Sequence, residues 1–175
     1  KVYGPKAHAS RHVHSMCHGR GKLRACMLFS SVAALQGNSG QVNYSAANVS
    51  LDMLAMMRRA NGQAAQSTQW GAWAEIGMAA GNLALEANMK ASGMGLIGLA
   101  HGLEVMRKAL SPLSSTVSAV LILTWSKALA NQTVPAFLSA FAPRAASEPV
   151  VKSKGGTAAA SNAVGIDTVL ELVRR

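Results

Sequence analysis

The chain has 175 residues, 50% of them hydrophobic and 14% charged, with a formal net charge of +10 at pH 7. That length can hold one core of ordinary domain size, and no apolar run of about 20 residues is present to cross a membrane as a helix. The basic residues are scattered and only 5% of residues are aromatic. This disfavours nucleic-acid recognition by stacking and reads the charge as a solvated face with some attraction for acidic partners or phosphate.

Residues 2–18 predict a helix with Lys6 near its start. A Gly19-Arg20-Gly21 turn follows, and then a strand over 24–29 whose apolar run, Ala25 to Phe29, delivers Ser31 at its carboxyl end, where ligands collect on parallel sheets. After a loop rich in Gly, Asn and Ser, a helix is expected over 43–60. Val49, Leu51, Leu54, Ala55 and Met57 recur there at helical spacing, and Asn61-Gly62 stops it. Tyr44 and Asn48 are i,i+4 on this helix, so both side chains emerge on one face.

A second strand is expected over 64–70, although Gln66 and Gln69 make it less apolar than a central parallel strand should be. Residues 71–98, rich in Gly and Met, read as a mobile lid. A short amphipathic helix over 100–110 ends at Ser111-Pro112, and 117–125 reads as the last strand. From 142 onward the composition turns to Pro, Ser, Lys, Gly and Ala, the signature of a flexible linker, and helical periodicity returns from Ile166 to Arg175.

Two clusters invite a functional reading and do not sustain it. Gly93-Met94-Gly95-Leu96-Ile97-Gly98 follows no clear strand, as a phosphate-binding glycine loop must. His8, His12, His14, Cys17 and His18 include two i,i+4 histidine pairs, but they match no fixed zinc spacing and bring no acidic ligand, so no metal site is expected. Cys17 and Cys26 are too few for a disulfide framework, and Cys26 falls in a strand, where a free thiol packs as a small hydrophobe. A reducing compartment is expected, the cytoplasm or the interior of an organelle.

The block from Phe29 to Asn48, with Ser31, Tyr44 and Asn48 at these spacings, resembles the ketoreductase domain of type I polyketide synthases. Fatty acid synthase ketoreductase is a near relative, and both lie in the short-chain dehydrogenase/reductase superfamily. Ordinary members carry Tyr-x-x-x-Lys; here Asn48 stands in the fourth position and a lysine, Lys6, stands upstream in Gly4-Pro5-Lys6, as in the multienzyme ketoreductases. The likeness continues through Leu51 to Arg59 and through Gln69-Trp70-Gly71-Ala72-Trp73-Ala74-Glu75-Ile76-Gly77-Met78. It is weaker over Val120 to Trp125.

The resemblance implies an α/β fold, the C-terminal half of a Rossmann-like doubly wound parallel sheet. It implies a partial ketoreductase domain over 1–142, a linker over 143–163 and the start of an acyl carrier protein over 164–175. The first residue is lysine and no glycine-rich strand-to-helix turn precedes Ser31, so the chain reads as an internal piece of a longer polypeptide. The implied activity is NADPH-dependent reduction of a β-ketoacyl thioester on an acyl carrier protein to the β-hydroxyacyl form, in a cytoplasmic multidomain synthase that is itself dimeric. A non-catalytic segment that scaffolds the synthase or docks its carrier is the alternative.

Carbonyl reduction needs a proton for the developing alkoxide and a donor to hold its oxygen. The phenol of a tyrosine, ordinarily titrating near 10, is aided by a nearby ammonium. The resemblance gives these roles to Tyr44 as acid, Lys6 as its ammonium, Ser31 as oxyanion donor, and Asn48 as the group that holds Lys6 or a relay water. It assigns Ser30, Tyr44, Gly71 and Ala72 to the cofactor, and Gln36, Gln41, Trp73 and Met78 to the substrate. Gln36 and Gln41 also stand where a tryptophan and a histidine mark L-configured products and a related subtype, which favours a D-configured hydroxyl here.

Overall fold

The computed structural model describes residues 2–17, 23–37, 39–75, 83–130, 133–134 and 136–142. The segments expected as linker and carrier start, 143–163 and 164–175, lie outside them, as do Met78 and His18.

A π-helical turn, Gly4–His8, runs directly into helix α1, Ala9–Cys17. Pro5 fits the first turn because its fixed φ is helical and the N–H it lacks would have had no helical acceptor there. Lys6 therefore sits in the wider turn, a feature that recurs at functional sites, and Ala7 beside it is buried.

Strand β1 is Met27–Ser31, shifted toward the carboxyl end from the expected 24–29. Its register explains the shift: Met27 lies opposite Gln66 and Ser31 opposite Trp70 in the neighbouring parallel strand β2, Gln66–Trp70. Pairing rather than the apolar run sets the ends, and Ser31 becomes the last strand residue. Helix α2, Ala33–Gln36, is a single turn. Positive φ angles at Gly37 (73°) and Gly40 (72°) then bring the chain into the long helix α3, Val42–Ala60. Asn61 closes α3, its side-chain amide donating to the Met57 carbonyl at 2.8 Å.

The parallel sheet has the order β1-β2-β4, with β4 formed by Val117–Val120. β2 is central and buried at every residue, although Gln66 and Gln69 make it less apolar than such a strand usually is. Pairing of the polar groups accounts for this. On one face Ser67 Oγ donates to Asp52 Oδ1 at 2.6 Å and Gln69 Nε2 donates to Asp52 Oδ2 at 2.8 Å, which ties the strand to α3. On the other, Gln66 Nε2 donates to Ser118 Oγ at 2.7 Å and Gln66 Oε1 accepts from Thr68 Oγ1 at 3.0 Å. Trp70 shares that second face by alternation. It packs there with Ile97 and Val120, flanked by Val105 and Met106 of helix α5, Leu99–Ala109. Helices on both faces of a parallel sheet make the doubly wound α/β arrangement that the sequence implies.

The expected strand over 117–125 is two strands and the start of a helix. Val120 O accepts from Gly71 N at 2.7 Å, which ends the parallel ladder. The chain then turns, and β5, Ile122–Leu123, pairs antiparallel with β3, Met94–Gly95. Trp125 opens helix α6, Trp125–Ala128, and stacks on Phe141 at 4.3 Å. Phe141 ends the 3-10 turn Ala136–Phe141.

The segment expected as a lid carries helix α4, Leu83–Ala91. It is pinned at its far end, because Trp73 bridges to Ile97, which is fully buried. Within the glycine cluster Met94 and Gly95 are strand, so the cluster does not form a phosphate loop.

Candidate active site

Ser31, Tyr44 and Lys6 converge on one cavity of about 720 Å³ at the carboxyl ends of β1 and β2. The convergence is built from three separate pieces of chain. Lys6 Nζ donates to Asn48 Oδ1 at 2.7 Å and to the Phe29 carbonyl at 2.9 Å. It also lies over the Tyr44 ring, 5.5 Å from the centroid, within reach of a cation–π attraction.

Asn48 is fully buried, and its Nδ2 donates to the Tyr44 carbonyl one turn back at 2.8 Å. Its amide is thus used at both ends, which fixes which atom faces the ammonium. The i,i+4 spacing read from the sequence puts Tyr44 and Asn48 together as expected.

The two serines at the end of β1 differ in what they can offer. Ser30 Oγ donates to the Asn48 carbonyl at 3.2 Å, so its proton is committed to anchoring α3. Ser31 Oγ accepts from the Ala33 amide at 3.2 Å, which leaves its own O–H free to donate. Both line the cavity.

Gly71 and Ala72 form part of the same wall. The Gly71 amide is taken by Val120 O at 2.7 Å, and the Ala72 carbonyl by Ile97 N at 2.8 Å. Among the described residues, the peptide unit between them, with the Gly71 carbonyl and the Ala72 amide, takes no hydrogen-bond partner. A Cβ on Gly71 would stand 3.1 Å from Val120 O, so close approach of β4 favours glycine here.

Gln36, Gln41 and Trp73 also line the cavity, whereas Met78 lies outside the described residues. Three contributions were not found from the sequence. One is the Phe29 carbonyl, which no residue type can announce. Another is the wall made by Leu85, Asn88 and Met89 of α4. The third is Leu121 and Ile122, hidden inside what read as one continuous strand.

Two histidines of the α1 region, His14 and His8, make other contacts. Arg58 Nη1 and His14 Nδ1 are 2.8 Å apart, and His8 meets Tyr3 edge to face at 5.5 Å.

Residues 1–75 match the family model described as KR domain. Polyketide synthase GfsB of Streptomyces halstedii is 46% identical over 112 residues, covering 63% of this chain and 2% of that protein. Mycoketide-CoA synthase of Mycobacterium tuberculosis is 43% identical over 83 residues, covering 47% of this chain and 2% of its own length. Among solved structures, A-type ketoreductases from a modular polyketide synthase superpose with a TM-score of 0.67 at 34% identity. That match covers 74% of this chain and 27% of that one. The first ketoreductase of the tylosin synthase gives 0.61 at 29% identity, covering 81% and 29%.

Fold and cavity together define an α/β class with a parallel sheet and a cleft at the carboxyl ends of its strands. More narrowly, residues 1–75 are similar to the ketoreductase domains of polyketide synthases. The chain spans only a small share of each relative, about a quarter of the ketoreductase structures and about 2% of the synthases.

Proposed function

We propose that this chain contributes the proton-donating and substrate-holding side of an NADPH-dependent ketoreductase, reducing a β-ketoacyl thioester on an acyl carrier protein to the β-hydroxyacyl form. The observation that carries this reading is the Lys6 ammonium, held by Asn48 at 2.7 Å and set 5.5 Å from the Tyr44 ring centroid, on a cavity that Ser31 also lines.

The residues fit a nicotinamide. Gly71 and Ala72 present nothing larger than a methyl group to the cavity, which leaves room for a flat ring, and the peptide unit between them can turn one of its two polar groups toward a carboxamide. When bound, that group supplies the hydride, which no side chain can. Ser31, with its O–H free, donates to the substrate carbonyl and stabilises the oxyanion as charge develops. Tyr44 delivers the proton. Lys6 has used two of its three ammonium donors on Asn48 and Phe29 and keeps the third for a bound oxygen. Ser30 fixes Asn48 with its hydroxyl proton, and its oxygen on the cavity wall remains an acceptor for the cofactor.

The test is NADPH oxidation with β-ketoacyl thioester mimics, with residues 1–175 in their native polypeptide context. Tyr44→Phe is expected to lower kcat by about 100-fold or more, and Ser31→Ala by about 100-fold. Full turnover by the Tyr44→Phe variant overturns the mechanism, and no turnover by the parent overturns the activity in favour of a scaffold.

Gln36 and Gln41, both on the cavity wall, support a D-configured β-hydroxyl product, since neither carries the marker of the other type. Chiral chromatography of the product checks this, and a predominantly L product rejects it. The same reading places the ketoreductase part at 1–142, a linker at 143–163 and a carrier domain beginning at 164–175, within a dimeric synthase. Limited proteolysis that cuts first between 143 and 163 is its expected signature.

A further inference from the structure

Gly102 lies in the first turns of α5 and is buried. Glycine is a poor helix former, so nothing in α5 itself calls for it. What calls for it is Trp73. A methyl group at position 102 would overlap Cη2 and Cζ3 of the Trp73 indole and stand 3.0 Å from Cζ2.

The ring has few places to go. Its neighbour Trp70 is 4.9 Å away between centroids, and Trp70 is itself buried and backed by Phe29 at 5.8 Å. The backbone on either side is tied down, with Ala74 N donating to Ile97 O at 3.0 Å and Ile97 N donating to Ala72 O at 2.8 Å. The space left to a displaced indole is the cavity that Trp73 already lines.

We propose that Gly102, which touches no ligand, is a positioning residue: the missing side chain seats the Trp73 indole, and that seat sets the bulk of acyl chain the cavity admits. The acyl ligand rests on the ketoreductase reading above; the seat of the ring does not. Trp73 thereby acts as a fixed wall, and the specificity of the site is set partly from α5, on the far side of the indole from the substrate.

Two measurements test this in the native polypeptide context, on the parent, Gly102→Ala, and Gly102→Ala combined with Trp73→Leu. The first is steady-state reduction of β-ketoacyl N-acetylcysteamine thioesters of increasing chain length. Gly102→Ala is expected to raise KM for the longer chains by about 10-fold or more, while kcat for the shortest stays within about twofold. The added Trp73→Leu change restores KM. A uniform loss across chain lengths, an unchanged KM, or no rescue by Trp73→Leu overturns the proposal.

The second measurement needs no activity. The close Trp70–Trp73 pair should give an exciton couplet in circular dichroism, which Gly102→Ala abolishes or inverts while the helical signal persists. An unchanged couplet means that the ring has not moved, and overturns the proposal. If the parent reduces no thioester, the ketoreductase reading fails alone and the couplet still decides where the indole sits.

Discussion

Lys6 is held from two directions, by a strand carbonyl at Phe29 and by a helix side chain at Asn48. Asn48 is fully buried and shares its amide between Lys6 and Tyr44, so removing it releases the ammonium and leaves a void where the buried amide stood, while the Tyr44 carbonyl keeps its helical donor. Asn48→Ala is expected to lower stability by about 1–3 kcal/mol and kcat with it, read by urea unfolding and by NADPH oxidation. Unchanged values for both would show that Phe29 alone can place the lysine. The Tyr44–Asn48 partnership was legible in the sequence, because one turn of helix guarantees it. That of Lys6 was not legible from spacing, since 42 residues separate it from Asn48; only the resemblance supplied it. Ser30 shows a different limit: the resemblance assigned it to the cofactor, and which acceptor its hydroxyl proton takes could only be seen in three dimensions.

The β2–α3 joint rests on one carboxylate. Asp52 is buried and accepts from Ser67 and Gln69, and no cation accompanies it among the described residues. Asp52→Ala should destabilise by about 1–3 kcal/mol for each donor left unpaired, with the urea midpoint as the measurement. A shift no larger than that of an exposed control such as Glu86→Ala would show that the joint holds by packing alone. Helices α3 and α5 were readable in advance because their apolar positions recur at helical spacing. The strand ends were less so. β1 takes its limits from its partner's register, and an apolar run continuing through Leu121 gives no sign that Val120 closes one ladder and Ile122 opens another.

As a whole, the three parallel strands β1, β2 and β4 are covered by helices on both faces, yet β1 lies at the edge among the described residues. Phe29 on that strand is 47% exposed, and Val42 and Met53 on α3 are 80% and 57% exposed. Unpaired strand edges and apolar surface favour association with other chains. Expressed alone, residues 1–175 are therefore expected to self-associate, as read by size-exclusion chromatography with light scattering. A monodisperse monomer with cooperative unfolding would contradict this. The net charge of +10 opposes association only at low salt, where screening is weak.

The polar character of β2 also bears on how the chain avoids wrong structures. In an apolar central strand a one-residue slip exchanges the two faces, yet it exchanges one greasy side chain for another and costs little when both faces are buried. Here the same slip would turn Ser67 and Gln69 away from Asp52 and Gln66 away from Ser118, breaking hydrogen bonds on both faces of the sheet at once. Misalignment is thus penalised by stranded donors and acceptors, each needing its own partner, rather than by loss of contact area. β2 therefore behaves as an alignment key for the sheet. Because Ser31 pairs with Trp70, that alignment also decides where the cavity's serine and indole come to rest.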